Sequence, residues 1–107
     1  MLSKKMEVAL NAQINAELWS AYLYLSMSAY FAADGKPGFA NWFKIQFQEE
    51  QDHAMKLFDY VNERSGRVEL KPIAKVDKSW KSPLHAFEET LKHEIIVTGL
   101  INEIGRA

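Results

Sequence analysis

Apolar residues recur at intervals of three and four along most of the chain, which is the period of an α-helix with one buried face. Three such seams are legible. The first carries Leu10, Ile14, Glu17, Ala21, Tyr24, Ser28 and Phe31. The second carries Phe39, Phe43, Gln46, Glu50, His53, Leu57 and Tyr60, and the third Leu84, Phe87, Leu91, Glu94, Thr98 and Ile101. Their ends are marked. Ser3 is placed to cap the first helix, which runs to Ala33, where Asp34-Gly35-Lys36-Pro37-Gly38 turns the chain. The second helix begins near Phe39 and ends at Ser65-Gly66. Ser82-Pro83 opens the third, with serine as cap and proline in the first turn, and Glu88 and Glu89 soon after.

Between Arg67 and Lys81 the helical period is absent. Val68-Glu69-Leu70 reads as extended, and Pro72 has no backbone N–H to donate. Fifteen extended residues reach roughly 50 Å, whereas a helix the length of the second spans about 40 Å. This segment can therefore return the chain along the whole bundle. The expected fold class is all-α: an up-down-down bundle with a long crossover between the second and third helices, forming one domain over residues 1–107.

Each seam is interrupted in mid-helix by a carboxylate in phase with the core: Glu17, Glu50 and Glu94. Glu17 lies 18 residues before Gly35 and Glu50 lies 15 after it. The difference is about 4.5 Å along the axis, less than one turn. Glu50 and His53 form a Glu-x-x-His pair whose side chains share a helix face, the spacing used by di-iron and di-manganese sites in helical bundles. One seam carboxylate commonly reaches water along the rim of a core. Three, with a histidine at the same level, would each cost several kcal/mol if left unpaired in an apolar interior, and a bound cation resolves that cost. Glu49 lies about 100° round the helix from Glu50, equally suited to a solvated surface or to an outer ligand position. His85 and His93 lie off the seams and are expected to face solvent. Trp19, Trp42 and Trp80 are expected in packing or subunit contacts.

Composition narrows the chemistry. No cysteine is present, so disulfides, thiolate zinc sites and iron–sulfur clusters are excluded, and any metal is held by oxygen and nitrogen. A net charge of -1 gives no ground for nucleic-acid or anionic-membrane binding. No apolar run is long enough to span a bilayer, and no signal peptide precedes the first amphipathic pattern. The expectation is a cytoplasmic protein.

The runs Ala16-Glu17-Leu18-Trp19-Ser20-Ala21-Tyr22-Leu23-Tyr24-Leu25-Ser26-Met27, Gly38-Phe39-Ala40-Asn41-Trp42-Phe43-Lys44, Glu49-Glu50-Gln51-Asp52-His53-Ala54-Met55-Lys56, Gly66-Arg67-Val68-Glu69-Leu70 and Lys92-His93-Glu94 resemble the bacterial and archaeal non-haem ferritins. The resemblance implies a di-iron ferroxidase centre in a four-helix bundle, and a homo-oligomer, in the family a hollow iron-storage shell of twenty-four subunits. Carried over by position, it implies Glu17, Glu50 and His53 as ligands of the first iron, with Glu50 bridging to a second iron that Glu94 also binds. Tyr24 is implied as the tyrosine beside the centre and Glu49 as a ligand of a neighbouring third iron site. Gln51 stands where haem-binding relatives carry methionine, which implies no haem. The family continues with a fourth long helix. This sequence stops at Gly105-Arg106-Ala107, as a fragment or a naturally shortened member.

The implied activity is oxidation of Fe(II) by O2 or H2O2 for storage as Fe(III). Two rivals remain: a di-iron peroxidase like the rubrerythrins, and a non-catalytic shell or interaction subunit with an incomplete metal site. Three helices are also expected to leave a groove lined by Leu10, Ile14, Leu91 and Ile101, so that a dimer or larger assembly forms.

Overall fold

Ser3 accepts a hydrogen bond from the Met6 backbone N–H at 3.1 Å and so starts α1, Lys4–Ala33. At the far end Gly35 adopts φ +71, which lets the Lys36 N–H reach the Phe31 carbonyl at 2.9 Å and closes the helix. Pro37 then opens α2, Pro37–Glu63, two residues earlier than its apolar pattern suggests. Proline suits the first turn because that N–H has no helical partner. The other end of α2 is tied off by the Gly66 N–H on the Val61 carbonyl at 2.9 Å. A Cβ on Gly66 would lie 3.0 Å from the side chains of both Leu2 and Val61, a tight approach that a larger residue could occupy only if those side chains shifted. Ser82 accepts from the His85 N–H and caps α3, Pro83–Arg106. The computed structural model describes residues 2–106, with side chains through Ile96.

The crossover is not a β-strand among the described residues; side chains of α1 pin it instead. Asn11 and Asn15, one turn apart, act as a two-rung ladder. Asn11 donates to the Arg67 carbonyl (2.9 Å) and accepts from the Glu69 N–H (2.8 Å). Asn15 donates to the Glu69 carbonyl (3.0 Å) and accepts from the Lys71 N–H (2.9 Å). Further on, Ser26 donates to the Asp77 carbonyl and Tyr30 to the Trp80 carbonyl. The segment thus runs parallel to α1, and α3 returns antiparallel to it, giving the up-down-down order.

Two apolar clusters form the core. One, at the α1–α2 turn, gathers Tyr24, Met27, Phe31, Ala40, Phe43, Trp80 and Ala86. The other gathers Leu10, Ile14 and Val61, with Leu57 and Val68 against them. Along α1 the polar positions Glu17 and Ser20 fall between these clusters.

The third seam is met in part: Phe87 packs against the first cluster and Glu94 turns to Tyr24, but the buried face is shifted from the expected one. Ala86 and Thr90 are buried against α1, whereas Leu84 and Leu91 are 68% and 64% exposed. The small residues let α3 approach α1 closely, and Thr90 reaches back to Met27 Sδ. The larger leucines, which dominate the hydrophobic pattern, face away. Phe39 and Tyr60 at the ends of the second seam are likewise partly exposed. The open face is therefore not lined by Leu10 and Ile14, which are buried against Val61. It is lined by Leu91 and its neighbours; the side chains of Thr98 and Ile101 lie outside the described residues. No helix among the described residues is long and apolar enough to cross a membrane.

Candidate metal centre

The middle of α1 presents four buried polar side chains at spacings of four, three and four: Gln13, Glu17, Ser20 and Tyr24. Each follows from the helical period, and each has a task. Gln13 Nε2 donates to Glu17 Oε1 at 2.8 Å along the helix. That leaves Glu17 Oε2 pointing into the bundle, where it has no hydrogen-bond partner. Across from it α2 supplies Glu50, whose Oε2 is also buried without a partner. Glu17 is 1% exposed and Glu50 4%.

His53, one turn beyond Glu50, places Nδ1 3.8 Å from Glu50 Oε2 and 3.9 Å from Glu17 Oε2. One donor atom from each of Glu17, Glu50 and His53 falls within 4.8 Å of the others. Buried carboxylate oxygens without donors are costly, and two of them facing one imidazole nitrogen make a hard donor set suited to a divalent cation. The His53 side chain is 55% exposed, which gives this group an opening to solvent.

The other predicted site residues lie around this group. Tyr24 Oη donates to Glu94 Oε1 at 2.5 Å, so Glu94 of α3 is bound to Tyr24 and stands outside the three-residue group. Glu49 is exposed on the outer face of α2. His85 is half-buried and pairs with Glu89 at 3.6 Å. His93 does not face solvent as expected. It is half-buried, bonded to Ser20 Oγ and packed on Trp19 with ring centroids 4.9 Å apart. The rotation that exposes Leu91 brings His93 inward. Neither Gln13 nor Ser20 stands out in the sequence; their signal is position, one turn before Glu17 and one turn before Tyr24.

Burial, with the Glu17 and then the Glu94 carboxylates, pushes Glu50 up to about 9. Burial and the bond to Glu94 push Tyr24 up as well, while burial pushes His93 down. For Glu50 the consequence has a definite sign. The folded state holds its proton more tightly than the unfolded state, whose value is 4.5. Its contribution to stability is whole below pH 4.5 and is lost as pH rises towards 9, with a slope of at most about 1.4 kcal/mol per pH unit. The metal-free Glu50→Gln variant should therefore gain on the parent as pH is raised from 5 to 9 in thermal melts. A constant difference in Tm across that range would contradict this picture of the site.

Three helices with this crossover and this polar mid-level define a ferritin-like chain, and residues 7–106 match the family described as Ferritin-like domain. The chain belongs to that family. Among its relatives, a bacterial non-heme ferritin of Bacteroides fragilis is 44% identical over 104 residues, covering 97% of this chain and 65% of the relative. One of Campylobacter jejuni is 40% identical over 104 residues, covering 97% and 62%. Among solved structures, a humanized archaeal ferritin superposes with a TM-score of 0.95 at 56% identity, covering 97% of this chain and 63% of that one. An open pore ferritin of Archaeoglobus fulgidus superposes at 0.94 with 54% identity, covering 97% and 64%. The chain thus spans a little under two thirds of the length of the proteins it matches.

Proposed function

We propose that the protein binds Fe(II) as substrate and oxidises it for iron storage. The observation that carries this reading is the pair of buried, unpartnered oxygens, Glu17 Oε2 and Glu50 Oε2, facing the His53 imidazole. Glu17 and His53 would hold a first iron. Glu50 would bridge to a second iron shared with Glu94, about 3.5–4 Å from the first if the site behaves as other two-metal sites do. Hard carboxylates favour the ferric product, and one imidazole helps to hold the ferrous ion. Glu50 would surrender its proton on binding, so uptake at neutral pH releases acid. Tyr24, hydrogen-bonded to Glu94, is placed to give a hydrogen bond or an electron as oxygen or peroxide is reduced. Glu49 would take iron passing the outer face, and no residue here argues for haem. The setting we propose is a cytoplasmic homo-oligomer.

Among the described residues, the first ion would have its ligands on α1 and α2, and the second would have Glu50 and Glu94. Turnover by this chain should accordingly be slower than that of a chain with a complete four-helix site. An oxygen electrode tests the reading. Adding Fe(II) to the protein should consume O2 in proportion to the iron and faster than buffer alone, and Glu17→Ala should abolish the excess. Equal consumption with and without the protein would overturn the proposal.

A further inference from the structure

We infer that His93 is a positioning residue for Glu94, acting through its hydrogen bond to Ser20. The inference rests on the reading of Glu94 as a ligand of the second iron. Ser20 is fully buried, and its hydroxyl hydrogen is already given to the Ala16 carbonyl at 2.9 Å. Ser20 Oγ can then only accept, so His93 must carry its proton on Nε2 and donate it. The imidazole is wedged between two rings. Trp19 packs against it at 4.9 Å, and Tyr24 meets it edge-on at 6.2 Å with an interplanar angle of 85°.

The arrangement is a two-point lock. Residues 93 and 94 are consecutive on α3, about 100° apart around its axis. They read two α1 residues one turn apart: His93 binds Ser20, and Glu94 binds Tyr24. Two such points fix both the rotation of α3 and its axial register. Ala86 and Thr90 seat the first turns of α3 on α1, but a working ligand set tolerates only about 0.5 Å and 10–20° of error, and the two polar points set that finer alignment at Glu94. The two points are not equivalent. The Tyr24 bond occupies the carboxylate that a metal would use, so it weakens or is shared when Glu94 turns to an ion. The His93 bond uses neither ligand nor metal and persists through that change. Over the described length of α3 the next polar contact with α1 is Thr90 to Met27, a full turn earlier.

Three variants test this. Ser20→Ala removes the acceptor while keeping a strong helix former, His93→Leu removes the donor while keeping apolar packing on Trp19, and His93→Gln restores an N–H donor where Nε2 stood. The first readout needs no metal: nuclear Overhauser contacts between the Tyr24 ring and the Glu94 side chain in the apo chain. They should be present in the parent and in His93→Gln, and lost or weakened in Ser20→Ala and His93→Leu. The second is Co(II) titration by absorbance. The first ion, on Glu17, Glu50 and His53, should bind unchanged in all four proteins. The second should bind about tenfold more weakly in Ser20→Ala and His93→Leu, within the range that supporting contacts at metal sites command. Contacts that survive in both disrupting variants, or a His93→Gln as impaired as His93→Leu, would overturn the inference, as would a lower Tm with second-ion affinity intact. If the parent takes up no second Co(II), the ligand reading of Glu94 fails, and the Overhauser contacts alone decide whether His93 positions it.

Discussion

Glu50→Ala should cost the chain its paired iron uptake: first-ion affinity for Fe(II) down by roughly a hundredfold or more, and the second ion lost. The size of the effect comes from the place of the Glu50 carboxylate, beside Glu17 and His53 and under the influence of Glu94 as well. Loss of a supporting partner at a metal site already costs 10- to about 100-fold, and on the proposed reading this change removes a direct ligand of both ions. Stability should move the other way. In the metal-free protein the buried Glu50 Oε2 has no donor, so Glu50→Gln, which keeps the shape and removes the ionisation, should melt no lower than the parent at neutral pH. Loss of binding with retained or increased stability marks a residue kept for function rather than for folding. Anaerobic calorimetry and thermal melts measure the two halves. Fe(II) affinity unchanged by Glu50→Ala would remove the residue from the centre.

The second large effect concerns assembly. The outward stripe of α3, with Leu84, Leu91, Ile95 and Ile96 exposed, lies beside an open apolar hollow of about 490 Å³ between Phe39, Trp42 and Phe87. Soluble monomers seldom leave so long an apolar face in water. At micromolar concentration the 107-residue chain should scatter light as a dimer or larger particle, a second copy covering this face. A homodimer's stability rises with concentration, by about 1.4 kcal/mol per tenfold, so Tm should climb by a few degrees over that interval. Leu91→Glu combined with Ile95→Glu should dissociate the particle. A cooperative, concentration-independent melt of a well-folded monomer would show that the three helices need no cover.

What the sequence disclosed divides along physical lines. Helix ends were legible because capping is local: Ser3, Gly35 and Ser82 act within a turn of their own positions. The crossover was legible as a gap in helical period, but the Asn11–Asn15 ladder that holds it was not, because an asparagine's partner more than fifty residues away leaves no local mark. The meeting of Glu17, Glu50 and His53 follows from helical phase and a short turn, both readable as spacing. The face of α3 was readable only in part: Phe87 and Glu94 turn inward as their spacing predicts, but Leu84 and Leu91 do not. Leucines outweigh Ala86 and Thr90 in any hydrophobic pattern, yet close helix packing favours the small residues. His93 was misplaced with the same rotation, and with it the contact that holds Glu94.

Iron anomalous diffraction from crystals of the chain soaked anaerobically in Fe(II) tests the central claim most directly. An iron peak is expected within coordination distance of Glu17, Glu50 and His53, with a weaker second peak between Glu50 and Glu94. A first peak confined to the outer face of α2, at Glu49 or Asp52, or no peak among the three buried-side ligands, would contradict it.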